Sequence, residues 1–121
     1  MSLHLELAAM INDGFSSELQ GPVECTQDAM IIRLANGVTL TVHYAAPDAY
    51  SMRWVHDGRI AGIDTAPLHR ELQTFPNHLH RSNGKIAPDS VTNPDARPED
   101  NMRGLIERLI RNPAFDMAED V

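Results

Sequence analysis

The sequence predicts an α+β fold: an antiparallel meander sheet of four to five strands, with an N-terminal and a C-terminal helix packed on one face. Three observations carry this. Apolar residues recur at helical spacing near both ends of the chain, they alternate with period two in between, and hairpin-type dipeptides separate the alternating runs. The 121 residues suit a single domain over 1–121. A chain of this length buries enough surface to fold without disulfides.

The first helix follows from Ser2, a capping residue, and from Leu3, Leu7, Met10 and Ile11 on one stripe, with Gly14 at its end. Gly21-Pro22 then marks a turn. In "AMIIRLANGVTLTVHY" the pair Asn36-Gly37 joins two apolar runs, which is a strong hairpin signal. Val38, Leu40, Val42 and Tyr44 face one way, and Thr39, Thr41 and His43 the other. A break at Pro47 precedes "AYSMRWVHDGRIAGID", in which Tyr50, Met52 and Trp54 alternate with Ser51, Arg53 and Val55. Asp57-Gly58 turns that strand into a return strand over 60–64. Residues 65–98 carry Pro67, Pro76, Pro88, Pro94 and Pro98, which rule out long regular elements. Around Asn83-Gly84, residues 78–81 and 85–87 can form a small third hairpin. The second helix rests on Met102, Leu105, Ile106, Leu109 and Ile110, with Glu99 and Asp100 in its first turn and Arg108 and Arg111 in its last. Asn112-Pro113 stops it, and 112–121 reads as a frayed tail. One sheet face, bearing Met30, Ile32, Leu40, Val42, Met52 and Trp54, needs a cover that the two helices supply.

Composition narrows function. The 42% hydrophobic and 22% charged content is ordinary for a globular domain. The N-terminus lacks the basic region of a signal peptide and no apolar run is long enough for a membrane span, so a cytoplasmic protein without membrane partners is expected. The lone Cys25 fits a reducing compartment. A net charge of −7 argues against a protein that grips nucleic acid over a wide basic surface. The charge is uneven, however. Residues 1–50 hold Arg33 against six acidic side chains, whereas residues 67–97 hold four basic groups against three acidic ones.

That less acidic segment contains "TFPNHLHRSNG", and His69, His78 and His80 lie within twelve residues of one another. Three readings of these histidines stay open. On an extended strand, His78 and His80 share a face and can chelate a divalent ion, with His69 and Asp64 as further ligands. No HExxH is present, and one cysteine cannot build a common structural zinc site, so no cofactor is expected. Alternatively, the pair supplies acid and base for a metal-free cut in RNA, with Arg81 or Arg53 as the cation at the phosphate. Or the histidines simply order a proline-rich loop, and on residue chemistry alone this third reading leads. His4, His43 and His56 take structural roles by the same logic.

The stretch "RIAGIDTAPLHRELQTFPNHLH" resembles the TumE family of toxin-like partners in bacterial type II toxin–antitoxin pairs. Asp64 matches a strand-ending Asp, Pro67 and His69 a proline–histidine element, Phe75-Pro76 a Phe-Pro pair, and His78 and His80 a histidine cluster. The chain departs from the family at Gly62-Ile63-Asp64-Thr65, where Arg-Tyr-Asp-Asn is common, and has Leu68-His69 and Asn77-His78 where adjacent histidines occur. Losing those second histidines weakens a many-ligand metal site more than an acid–base pair. The resemblance implies a toxin component, with His78, His80, His69 and Asp64 at its site, and the acid–base reading adds Arg81. It also implies a cognate antitoxin, expected to carry a helix-turn-helix domain. An action on RNA or translation is our own reading of the histidines, an endoribonuclease-like one if enzymatic. A non-catalytic binding protein and a small metal-dependent hydrolase using His78, His80 and His69 are the alternatives, and homo-oligomerisation stays open.

Overall fold

The computed structural model describes residues 2–116. Helix α1 spans Leu3–Gly14, and its cap is Ser2, whose hydroxyl accepts from the Leu5 N–H at 3.1 Å. A short 3₁₀ turn over Ser16–Glu18 leads into the sheet. The strands are β1 (Glu24–Cys25), β2 (Met30–Arg33), β3 (Thr39–Ala46), β4 (Ala49–His56), β5 (Arg59–Asp64), β6 (His78–His80) and β7 (Ile86–Pro88). They form one sheet in sequence order, every pair antiparallel. Helix α2 follows over Pro98–Arg111.

The meander is therefore as expected in type and larger in extent. β6 and β7 are the small third hairpin expected around Asn83-Gly84, and β1, two residues long, is too short to show a period of its own. The turn signals hold in physical detail. Gly37, Gly58 and Gly84 have φ of 97°, 80° and 85°, and Asp57 has φ 53°, so the Asp57-Gly58 turn has both central residues left-handed, as a tight two-residue hairpin requires.

Alternation decides the two faces. Met30, Ile32, Leu40, Val42, Met52, Trp54 and Ile63 are almost fully buried beneath the helices. From above, Leu7 and Ile11 of α1 and Met102, Leu105, Ile106 and Leu109 of α2 fill the same core. Each such side chain stabilises the fold by roughly 2 kcal/mol through its burial. Among the described residues no helix covers the opposite face. No described helix is long and apolar enough to cross a membrane.

The chain after α2 corrects one expectation. Residues 112–116 are not frayed: Phe115 folds back, its ring stacked on Trp54 at 5.7 Å and 18°, while its carbonyl accepts from the indole N–H at 2.9 Å. The Arg108 guanidinium sits 5.0 Å above the Phe115 ring. A fully buried indole needs a partner for its N–H, and this short return supplies it. The remainder of the expected tail, 117–121, lies outside the described residues.

Candidate active site

The uncovered face is a grid set by the strand register. Arg53 of β4 pairs with Gly62 of β5, which pairs with His80 of β6. One step along, Ser51 pairs with Asp64 and Asp64 with His78. Residues two apart on a strand share a face, so Arg53, Gly62, His80, Ser51, Asp64 and His78 all belong to the open side.

Three polar atoms converge there. Asp64 Oδ1 is 3.1 Å from His78 Nε2, and Asp64 Oδ2 is 2.7 Å from His80 Nε2. The two Nε2 atoms are 3.0 Å apart. The far sides of two of these groups are held by backbone. His78 Nδ1 lies 3.1 Å from the Pro76 carbonyl. A carbonyl oxygen only accepts, so Nδ1 carries the proton and a neutral His78 points its Nε2 lone pair into the cluster. Asp64 Oδ1 also accepts from the Ala66 N–H at 3.0 Å, which fixes the carboxylate plane.

Exposure divides the trio. The His78 side chain is 1% exposed, Asp64 27% and His80 45%. The segment between β5 and β6 covers His78, and the His69 ring packs edge-on against it at 4.7 Å. Only Asp64 and His80 reach solvent. They border a shallow groove of about 160 Å³ that Ser51, Arg53, Ile60 and Gly62 also line. Gly62 has no room for a side chain, because a Cβ there would lie 2.9 Å from the Met52 carbonyl oxygen. The floor between Arg53 and His80 is therefore bare.

The sequence-derived candidates separate on this geometry. Asp64, His78 and His80 come together. His69 touches His78 through its ring, but its Nδ1 faces Glu71 at 3.6 Å. Arg81 follows His80 by one residue and so leaves the open face. Its Nε lies 3.1 Å from Asp116 Oδ1, an ion pair without hydrogen-bond alignment. Arg53, the other cation considered for the phosphate, is exposed, and its side chain has no hydrogen bond or ion pair among the described residues.

Sequence reasoning missed what holds β6 in place. Asn77, next to His78, donates to Asp89 Oδ2 at 2.8 Å and to the Thr92 carbonyl at 3.0 Å. Asp89 also accepts from the N–H of Val91 at 2.8 Å, from that of Thr92 at 3.2 Å, and from the Thr92 hydroxyl. Thr74 bridges the two loops, donating to the Asn77 carbonyl at 2.7 Å and accepting from Asp89 N–H at 3.0 Å. The Thr92 hydroxyl meets Tyr50 Oη at 2.7 Å, and burial pushes the Tyr50 hydroxyl up to about 12, so it stays neutral. This buried network turns a proline-rich loop into a rigid support. Its only advance sign was the density of Asn, Asp and Thr among the prolines.

An antiparallel sheet with a helical cover on one face and an acid–histidine cluster open to solvent on the other defines an α+β protein with a surface-accessible polar site. The chain belongs to the toxin TumE family, whose model matches residues 10–112 and so spans the whole sheet, the cluster and α2. No curated protein and no solved structure matches the chain.

Proposed function

We propose that the chain is the toxin of a toxin–antitoxin pair and that it acts on an RNA phosphodiester at the open sheet face. Membership of a toxin family supports the first part. The observation that carries the second is the convergence of Asp64, His78 and His80 within 3.1 Å of one another, with Arg53, whose side chain has no partner among the described residues, across the glycine floor. A shallow groove on an open sheet face suits an extended strand better than an enclosed small molecule. Arg53 would hold a phosphate oxygen by charge-assisted hydrogen bonds. His80, half exposed and held by Asp64, would exchange a proton with the reacting oxygen. His78 would position Asp64 from below.

The net charge of −7 restricts how the target is reached. Long-range attraction to a polyanion is weak, so recognition would be local and shallow in its salt dependence. On this reading the protein works in the cytoplasm, and its partner is an antitoxin, with a helix-turn-helix domain, that covers the open face. The test is RNA integrity after induction of the chain alone, beside Asp64→Asn and Arg53→Gln at matched protein levels. Cleaved RNA with the parent chain and intact RNA with both variants is the expected result. Intact RNA throughout, with growth arrested, would move the target away from RNA.

A further inference from the structure

We infer that Asp64, His78 and His80 form a binding site for one divalent transition-metal ion, of the zinc or manganese class. The inference concerns the site proposed above and changes the part of one residue there: with an ion bound, His80 Nε2 is a ligand and no longer the proton-exchanging group. It rests on that reading only for what the ion would serve, since binding itself follows from the donor geometry.

The first argument is spacing. One ligand atom from each residue lies on a triangle with edges of 2.7, 3.0 and 3.1 Å. An ion with bonds of about 2.1 Å sets its ligand atoms about 3.0 Å apart in octahedral geometry and about 3.4 Å apart in tetrahedral geometry. The observed edges match the first and need only a small expansion for the second.

The second argument is orientation. The Pro76 carbonyl holds Nδ1 of His78 at 3.1 Å, which leaves Nε2 of the buried ring directed at the Asp64 oxygen at 3.1 Å and at His80 Nε2 at 3.0 Å. A cation among the three atoms would meet each of them as a ligand atom without turning the His78 ring.

The third argument is the support behind the ligands. Metal-binding histidines commonly give their other N–H to a carbonyl, which fixes the tautomer, and ligating carboxylates are themselves hydrogen-bonded. The Pro76 carbonyl does the first for His78 and the Ala66 N–H does the second for Asp64. Two imidazoles and one carboxylate favour a first-row transition ion over magnesium or calcium, which prefer oxygen ligands. The remaining coordination positions open to the groove through His80 and Asp64, toward Arg53.

The test is calorimetric titration of zinc, and separately manganese, into the full chain without a histidine tag after chelator treatment. One equivalent is expected to bind. Affinity is expected to fall by more than about tenfold in Asp64→Asn and in His80→Ala, and to stay unchanged in His43→Ala. His80 is half exposed, so its loss spares the fold, and circular dichroism checks this. No saturable binding of either ion to the folded parent overturns the inference, as does binding that neither site variant weakens. Growth and RNA play no part in this readout. Toxicity without metal binding therefore removes the metal site alone, whereas metal binding without toxicity removes the proposed function alone.

Discussion

His78→Ala and His80→Ala are expected to behave differently, although the two residues are one position apart. His78 is 1% exposed, donates from Nδ1 to the Pro76 carbonyl, and carries the His69 ring against its own. Its removal leaves a cavity, a carbonyl without its partner and a half-buried Asp64 with one contact fewer. A lost buried hydrogen bond and a lost buried ring together cost about 2–4 kcal/mol. His80 is 45% exposed, and its bond to Asp64 lies at the rim. Without it, Asp64 keeps the Ala66 N–H and His78, so the cost is about 1 kcal/mol or less. Urea unfolding followed by the emission of Trp54, the single tryptophan and a fully buried one, reads both values. Activity should drop in both variants, with that of His80→Ala falling in a protein of nearly parental stability. Equal destabilisation of the two, or a larger cost for His80→Ala, would refute the division into a buried positioning residue and an accessible working one.

The two arginines considered for the phosphate should separate. Arg53→Gln is expected to lower activity by roughly 10- to 100-fold with stability unchanged, the worth of one charge-assisted contact, measured as RNA cleavage beside a urea midpoint. Arg81→Gln should leave activity near parental and shift the midpoint slightly, through the lost pairing with Asp116. His4 accepts the Tyr44 N–H at 2.9 Å, and its pKa is lowered by burial first, then by the His43 charge, with Asp28 opposing. The folded state therefore resists protonation that the unfolded chain accepts, so this contribution is present above about pH 6.5 and is lost as pH falls through the lowered folded value. Subtracting the stability–pH curve of His4→Gln from that of the parent should isolate it. Phe115→Ala removes the stack on Trp54, for an expected loss of about 2–4 kcal/mol with a red shift of the indole emission. An unshifted spectrum would mean that the return of residues 112–116 does not matter in solution.

The legible parts of the fold were those where local chemistry and tertiary structure agree. Asn36-Gly37 and Asp57-Gly58 demand left-handed backbone, and Met52 and Trp54 demand one buried face, so the central strands could be read directly. The β6–β7 hairpin was marked only by Asn83-Gly84 and β1 by nothing, because such short strands take their identity from the neighbours they pair with. For the same reason the histidine stretch could be singled out but not resolved. That His78 and His80 share a face follows from period two. That Asp64 stands opposite His78 follows from pairing across a thirteen-residue excursion, which no local rule supplies. The second-histidine positions show the difference as well. At Asn77 the chain carries a group that binds Asp89 and braces β6, and the third member of the cluster is Asp64. Phe115 escaped notice because its value lies in the indole it covers, fifty residues and more upstream.

The central claim is that Asp64 and His80 are the working groups of a toxin. The most direct measurement is growth after induction of the parent chain, of Asp64→Asn and of His80→Ala, at equal levels of folded protein. The account predicts arrest by the parent and normal growth with each variant. Arrest by the parent that both variants reproduce in full would contradict it, and so would a folded parent chain that leaves growth untouched.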